Sequence, residues 1–324
     1  MRWGILGAAR INRSIVPALQ AAEGHTLEAI ASRDAGKAAA AAEAWGIPRA
    51  VEGYEALLAD PGIDAVYIPL PNHLHAEWTV RAAEAGKHVL CEKPLALTLD
   101  EVDRITAAAA AAHVHVAEAF MYRHHPQTHA VQELVAGGAI GALRFIRGCF
   151  SFMLDRPGDV RFDAAKGGGA AWDVGCYPVS YARTLAGAEP EAVQASAVIG
   201  PTHVDMSVAA VLRFPGNVLA LIDASFVAPF RTEVEVVGSA GTIRVSHPFK
   251  PAQREVVLVV RGDEVLEHVV EAAPLYVSQF EDFGRAARGD ADPVVTLADS
   301  RANTAALLAV LEAARSGHTV HPGR

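Results

Sequence analysis

Over roughly its first 120 residues the chain alternates short apolar runs with helical patterns, and this alternation restricts the fold more than any other feature. The runs are 3–6, 27–31, 65–68, 87–91 and 114–117, each of strand length. Helical patterns lie between them, at about 12–22, 36–45, 54–59 and 98–112, with one more after 72. Strands separated by helices read as βαβ units, so the expected sheet is parallel and covered on both faces. Ligands of such sheets bind outside the C-terminal strand ends. Gly7, Ser32, Pro69 and Glu92 all stand at such ends.

Each end carries its own chemistry. Gly7-Ala8-Ala9-Arg10-Ile11-Asn12 follows the first strand. In the dinucleotide fingerprint G-x-G-x-x-G the glycines permit a tight turn and let pyrophosphate rest on a helix N-terminus. Gly7 fits the first position, while Ala9 and Asn12 replace the other two glycines, so a plain strand-to-helix turn remains an alternative. Ser32 and Arg33 end the second strand, with Lys37 one helical turn on. A hydroxyl, a guanidinium and an ammonium there suit a 2′-phosphate better than a ribose diol, which favours NADP, with NAD possible. The competing reading is an ordinary helix start capped by Asp34.

Pro69-Leu70-Pro71-Asn72-His73-Leu74-His75 leaves the third strand extended, because residues before proline avoid the helical region. Asn72 is expected to cap the next helix. A lone histidine such as His75 is more often packing than ligand, yet here it shares a crevice edge with two other strand ends. Glu92-Lys93-Pro94 closes the fourth strand, and a lysine at that place stands at a site, the alternative being a surface lysine capping a turn.

A chain of 324 residues is expected to form two domains, divided here at 1–120 and 121–324, with the last helix able to pack back on the first. After 120 the pattern changes to alternating runs at 143–153, 193–199, 204–214, 218–226, 232–237, 242–245, 256–260 and 265–270, which predict an α+β domain with antiparallel strands. Gly167-Gly168-Gly169 leads into a helical pattern at 171–185 carrying Asp173 and Tyr177, four apart and so on one face. A carboxylate and a phenol placed so can address one ligand; the plainer alternative has Asp173 complementing the helix dipole and Tyr177 packing.

The net charge of −9, with no Lys/Arg run, argues against nucleic acid and anionic membranes as partners. No window of 18 apolar residues and no leader pattern is visible, and Cys91, Cys149 and Cys176 show no paired spacing, so a cytoplasmic protein with buried cysteines is expected. His113, His115, His124, His125 and His129 lack a recognised ligand spacing, and no metal is expected. The P-loop and the serine-hydrolase elbow are absent.

Taken together, the first turn, Pro71-Asn72-His73-Leu74-His75, Glu92-Lys93-Pro94, 118–127 and 167–177 resemble the Gfo/Idh/MocA oxidoreductases over essentially the full length. Tyr177, Met121-Tyr122-Arg123 and His125-Pro126-Gln127 resemble the branch of NADP-dependent aldose dehydrogenases and dimeric dihydrodiol dehydrogenases. The resemblance implies an α/β protein: an N-terminal Rossmann domain, then a C-terminal α+β domain with an open, mainly antiparallel sheet, and the active site between them. It implies cofactor contacts along Gly7–Ile11, Ser32, Arg33, Lys37, Pro69, Leu70, Asn72, His75, Glu92 and Lys93. Lys93 corresponds to the family lysine and Tyr177 to the acid/base tyrosine. Asp173 would orient a substrate hydroxyl, and Arg123, Arg161 and Trp172 would form the pocket wall. The implied reaction is hydride transfer between nicotinamide and a hydroxyl-bearing carbon of a sugar or cyclic diol, in a homodimer or dimer of dimers. Another hydroxyl or imine substrate, or a dinucleotide-sensing regulator without catalysis, are the alternatives.

Overall fold

The structure is a computed structural model describing residues 1–322. It divides into two compact units, Met1–His124 with Ala273–Arg301, and His125–Ala272 with the chain from Ala302 onward.

The first unit runs β1 (Arg2–Leu6), α1 (Asn12–Ala21), β2 (Thr26–Ser32), α2 (Ala35–Trp45), β3 (Arg49–Glu52), α3 (Tyr54–Leu58), β4 (Ala65–Ile68), α4 (His75–Glu84), β5 (His88–Glu92), α5 (Leu99–Ala112) and β6 (Val116–Ala119). Its sheet has the order β3-β2-β1-β4-β5-β6, with every pair parallel. Successive side chains point to opposite faces of a strand. Trp3, Ile5, Ala65 and Tyr67 therefore join one core, with residues of α1 and α2, while Leu6, Val66 and Ile68 join the other, with residues of α4 and α5. Because both faces are buried, the strands read as continuous apolar runs. The order reverses between β1 and β4, which is where such sheets open a crevice.

Two local differences from expectation have physical causes. β3 pairs only with β2 at the sheet edge, and its sequence Arg-Ala-Val-Glu offers too little apolar pattern to be seen. β6 begins later than expected, because α5 ends with His113 in the left-handed conformation, which redirects the chain first. Thr98 caps α5 in a reciprocal capping box with Glu101. Asn72, by contrast, opens a single 3-10 turn, and no side chain caps α4.

The second unit contains α6 (Pro126–Ala136), β7 (Leu143–Ser151), α7 (Cys176–Ala186), β8 (Ala192–Ile199), β9 (Asp205–Phe214), β10 (Val218–Ser225), β11 (Arg231–Gly238), β12 (Thr242–Val245), β13 (Arg254–Arg261) and β14 (Glu264–Glu271). Its eight strands are ordered β14-β13-β12-β11-β7-β10-β9-β8. All pairs are antiparallel except β7 with β10. A simple meander would pair β10 with β11, but the link 226–230 contains Pro229 rather than a two-residue hairpin turn, and β7 lies between them. Val208, Ala210, Leu212 and Phe214 are buried on one face. On the other, Phe145, Val211 and Leu221 remain 42%, 37% and 38% exposed, beside a concavity of about 980 Å³.

The chain then re-enters the first unit with α8 (Val277–Arg288), and α9 (Leu297–Ser316) follows. Phe280 and Phe283 meet Trp3 with ring centroids 5.2 and 5.1 Å apart, and Phe280 meets Tyr67 at 6.1 Å. The boundary thus falls after His124 rather than after 120, and the first unit is discontinuous, because the apolar stripe of α8 covers a face of its sheet. No helix among the described residues is long and apolar enough to cross a membrane.

Candidate active site

The turn after β1 is built for close approach. Gly7 has φ +122°, and a Cβ there would stand 2.9 Å from Leu70 Cδ2. Its N–H donates to Ala31 O at 2.8 Å, and its carbonyl accepts from the buried Asn12 amide at 2.8 Å. Asn12, which replaces the third glycine of the fingerprint, thus ties the turn to the start of α1. Ala8 and Arg10 are exposed, Ala9 and Ile11 half-buried.

At the end of β2, the helix start is capped as the competing reading expects. Asp34 caps α2, accepting from Lys37 N at 2.9 Å, and Ser32 Oγ accepts from Asp34 N at 3.2 Å. Arg33 and Lys37 are exposed, with Arg33 hydrogen-bonded to the Tyr54 phenol. Burial raises the pKa of that phenol, and Arg33 pulls it back.

Pro69 and Leu70 are buried after β4, and His75 is 1% exposed at the start of α4. Its Nδ1 lies 2.7 Å from Pro94 O and its Nε2 2.6 Å from Leu70 O. Burial lowers its pKa to about 4, and the two carbonyls oppose this without overcoming it. The neutral ring carries one N–H, so one of the two carbonyls accepts from it. After β5, Glu92 is hydrogen-bonded to the Tyr67 phenol, which burial and then Glu92 keep protonated. Lys93 is half-buried, its peptide to Pro94 is cis, and Leu95 N donates to Glu118 Oε1 at 3.0 Å.

In the second unit, the segment Ala171–Gly175 makes one π turn before α7 rather than continuing α-helix, a distortion frequent at functional sites. Trp172, Asp173 and Tyr177 are all buried there. Arg161 Nε donates to Asp173 at 2.6 Å and its NH1 to Asp159 at 3.2 Å. Asp173, then Asp159, hold the guanidinium charged. The Tyr177 ring lies among Phe150 at 5.3 Å and Phe249 at 5.5 Å, with Lys250 Nζ 5.7 Å from the Phe150 ring.

Asp205, which pattern reading passed over, anchors this segment. It is 5% exposed and accepts from Ala171 N at 2.6 Å, and from Ala170 N. Burial raises its pKa from the ordinary 3.8 to about 6. The stability this carboxyl contributes is therefore fully present below 3.8 and is lost as pH rises through about 6. Asp205→Asn keeps an acceptor without the charge. It is expected to be more stable than wild type at pH 8, by up to about 2–3 kcal/mol and with a higher unfolding temperature, with the difference gone at pH 4. Thermal melts of both proteins across that range check this; a pH-independent difference contradicts it.

The structure thus brings Gly7 to Leu70, His75 to Leu70 and Pro94, and Arg161 to Asp173. Lys93 and Tyr177 belong to different units. Arg123, expected in a pocket wall, is in the first unit, with NH1 3.1 Å from Asp299 Oδ2.

Residues 1–120 match the sequence model of an oxidoreductase family with an NAD-binding Rossmann fold, and residues 128–244 match the C-terminal domain of the same family. The chain belongs to the Gfo/Idh/MocA oxidoreductases. Among curated members of this family it is 38% identical to a D-xylose 1-dehydrogenase (NADP(+)) of Haloferax volcanii, covering 99% of each chain. It is 35% identical to the trans-1,2-dihydrobenzene-1,2-diol dehydrogenase of Danio rerio, over 82% of this chain and 79% of that one. Among solved structures it resembles KijD10, a 3-ketoreductase from Actinomadura kijaniata in complex with NADP and TDP-benzene. The TM-score is 0.91 at 34% identity, covering 97% of each chain.

Proposed function

We propose that this Gfo/Idh/MocA member is a cytoplasmic NADP-dependent dehydrogenase of sugars or cyclic diols. The observation that carries the reading is the pairing of Arg161 with Asp173 on the segment that also bears Tyr177: a fixed carboxylate and a phenol, four residues apart, can accept from and exchange a proton with neighbouring substrate hydroxyls. The NADP-named xylose dehydrogenase and NADP-bound ketoreductase support the same class. Three buried free cysteines suit a reducing compartment.

The first unit fits the cofactor. The glycine at β1 takes the positive φ that a tight turn at the fingerprint's first position needs, and the exposed Arg33 and Lys37 suit a 2′-phosphate. Bound NADP supplies the hydride acceptor or donor. The chain's own parts are to orient and to move a proton: Asp173 accepts a hydrogen bond from one hydroxyl, Tyr177 takes the proton of the reacting one, and Lys93 favours the phenolate. A spectrophotometric screen of aldoses, inositols and cyclic diols with NADP and NAD tests the reading; dinucleotide binding without turnover of any would favour a sensor instead.

Losing a charge-assisted phosphate contact costs on the order of 1.5–3 kcal/mol, so Arg33→Ala should weaken NADP by about tenfold or more and barely touch NAD. Fluorescence titration with both reduced cofactors checks this, and equal loss for both would remove the assignment.

We further propose that the chain pairs with a second copy through the open face of the eight-stranded sheet. Phe145, Val211 and Leu221 are too apolar to leave in water, and the flanking Arg147, Glu235 and Arg244 are charged as an interface rim is. Light scattering at micromolar concentration should give the mass of two or four chains; a monomer contradicts it.

A further inference from the structure

Three buried groups converge on the turn that carries Lys93: one holds the side chain of the residue before it, and two reach the backbone of the residues after it. The Tyr67 phenol holds the Glu92 carboxylate. His75 reaches Pro94 O at 2.7 Å with one ring nitrogen and Leu70 O at 2.6 Å with the other. Glu118, 2% exposed on β6, accepts from Leu95 N at 3.0 Å through Oε1. Pro94 and Leu95 are buried, whereas Lys93 between them and Glu92 is only half-buried. An apolar core would be filled more cheaply by leucines, because a buried polar group costs free energy unless it is hydrogen-bonded. What these three provide is direction, since contacts that fix the side chain before Lys93 and the backbone after it set where the lysine side chain starts.

We infer that His75 and Glu118 are positioning residues for Lys93. His75 also lies between the turn after β5 and the turn after β4, its other nitrogen 2.6 Å from Leu70 O, and the Leu70 side chain packs against Gly7. One imidazole thus lies between the lysine turn and the segment that touches the glycine turn. The consequence for catalysis rests on the reading of Lys93 given above; the positioning itself does not.

The test is competitive acetylation with acetic anhydride, without cofactor, comparing the rate at Lys93 with that at Lys37 by peptide mass spectrometry. His75→Phe keeps a ring and removes both nitrogens, and with them the hydrogen bond that the imidazole N–H makes. It is expected to change the Lys93:Lys37 ratio at least threefold, and Glu118→Ala, which releases Leu95, to change it likewise. If His75→Phe does not fold by circular dichroism, Glu118→Ala alone carries the test. Unchanged ratios in folded variants overturn the inference, whatever Lys93→Met does to turnover. On a substrate found by the screen, His75→Phe should lower kcat at least tenfold with KM for NADP within about twofold, and should cost nothing further in the Lys93→Met background. A merely structural histidine would add its loss in that background too. A Lys93→Met enzyme with full turnover would instead refute the catalytic reading of Lys93, and the labelling ratio would still decide whether His75 positions it.

Discussion

Tyr177→Phe is expected to cut turnover by roughly 10²–10⁴, the usual span of general acid–base catalysis, with NADP affinity nearly unchanged. The substitution removes one oxygen and keeps the ring, so the contacts with Phe150 and Phe249 persist and loss of fold is not an explanation for loss of rate. Lys93→Met keeps an unbranched stem without the ammonium and should cost at least as much. If the two groups serve one proton transfer, the double variant loses little beyond the worse single one, because groups acting as a unit are non-additive. Any residual tyrosine-dependent rate in Lys93→Met should show a raised apparent pKa, since the cation that favours phenolate is gone. Measured pH–rate profiles of the four proteins decide. Multiplicative losses, or a Tyr177→Phe enzyme with most of its activity, would put the proton elsewhere. His75 is a poor substitute because both its nitrogens face carbonyls, and His125 is committed in part, its Nδ1 accepting from Gln127 N to cap α6.

The second large effect is on stability. Gly169 has φ +119°, and a Cβ there would lie 2.1 Å from Asp205 Oδ1. Gly169→Ala therefore combines backbone strain of about 1–3 kcal/mol with displacement of a buried carboxylate from the N–H groups it accepts, together on the order of 3–5 kcal/mol. Urea unfolding should show the loss, and activity should fall with it, because the displaced segment carries Asp173 and Tyr177. In an Asp205→Ala background the clash has no partner, so Gly169→Ala should then cost only the backbone part. Equal costs in the two backgrounds would show that the carboxylate is not the obstacle.

Much of this was legible in the chain. Period-two burial, cap residues and turn chemistry are local, so the strand ends at Gly7, Ser32, Pro69 and Glu92 and the cap at Thr98 could be read directly. The Arg33 and Lys37 positions followed from what stands at a strand end. What escaped reading depends on partners far along the chain. Asp205 caps a segment 34 positions away, and Glu118 holds an N–H 23 positions away; each is an ordinary acid in its own neighbourhood. The place of β7 between β10 and β11 likewise comes from register among distant strands. The π turn leaves no composition signal, and β3 is an edge strand with one valine.

The return of the chain through α8 sets an order on synthesis. Phe280 and Phe283, which cover Trp3, leave the ribosome about 280 residues after it. Until they arrive, a nascent dinucleotide fold presents the Trp3 and Tyr67 face bare, and all of 125–272 must be translated during that interval. At about 5–20 residues per second this lasts roughly ten seconds or more, long enough for hydrophobic collapse or chaperone capture to compete. A fragment ending at His124 would carry the same bare face permanently, so truncation at the apparent domain boundary yields a sticky polypeptide rather than a minimal nucleotide binder.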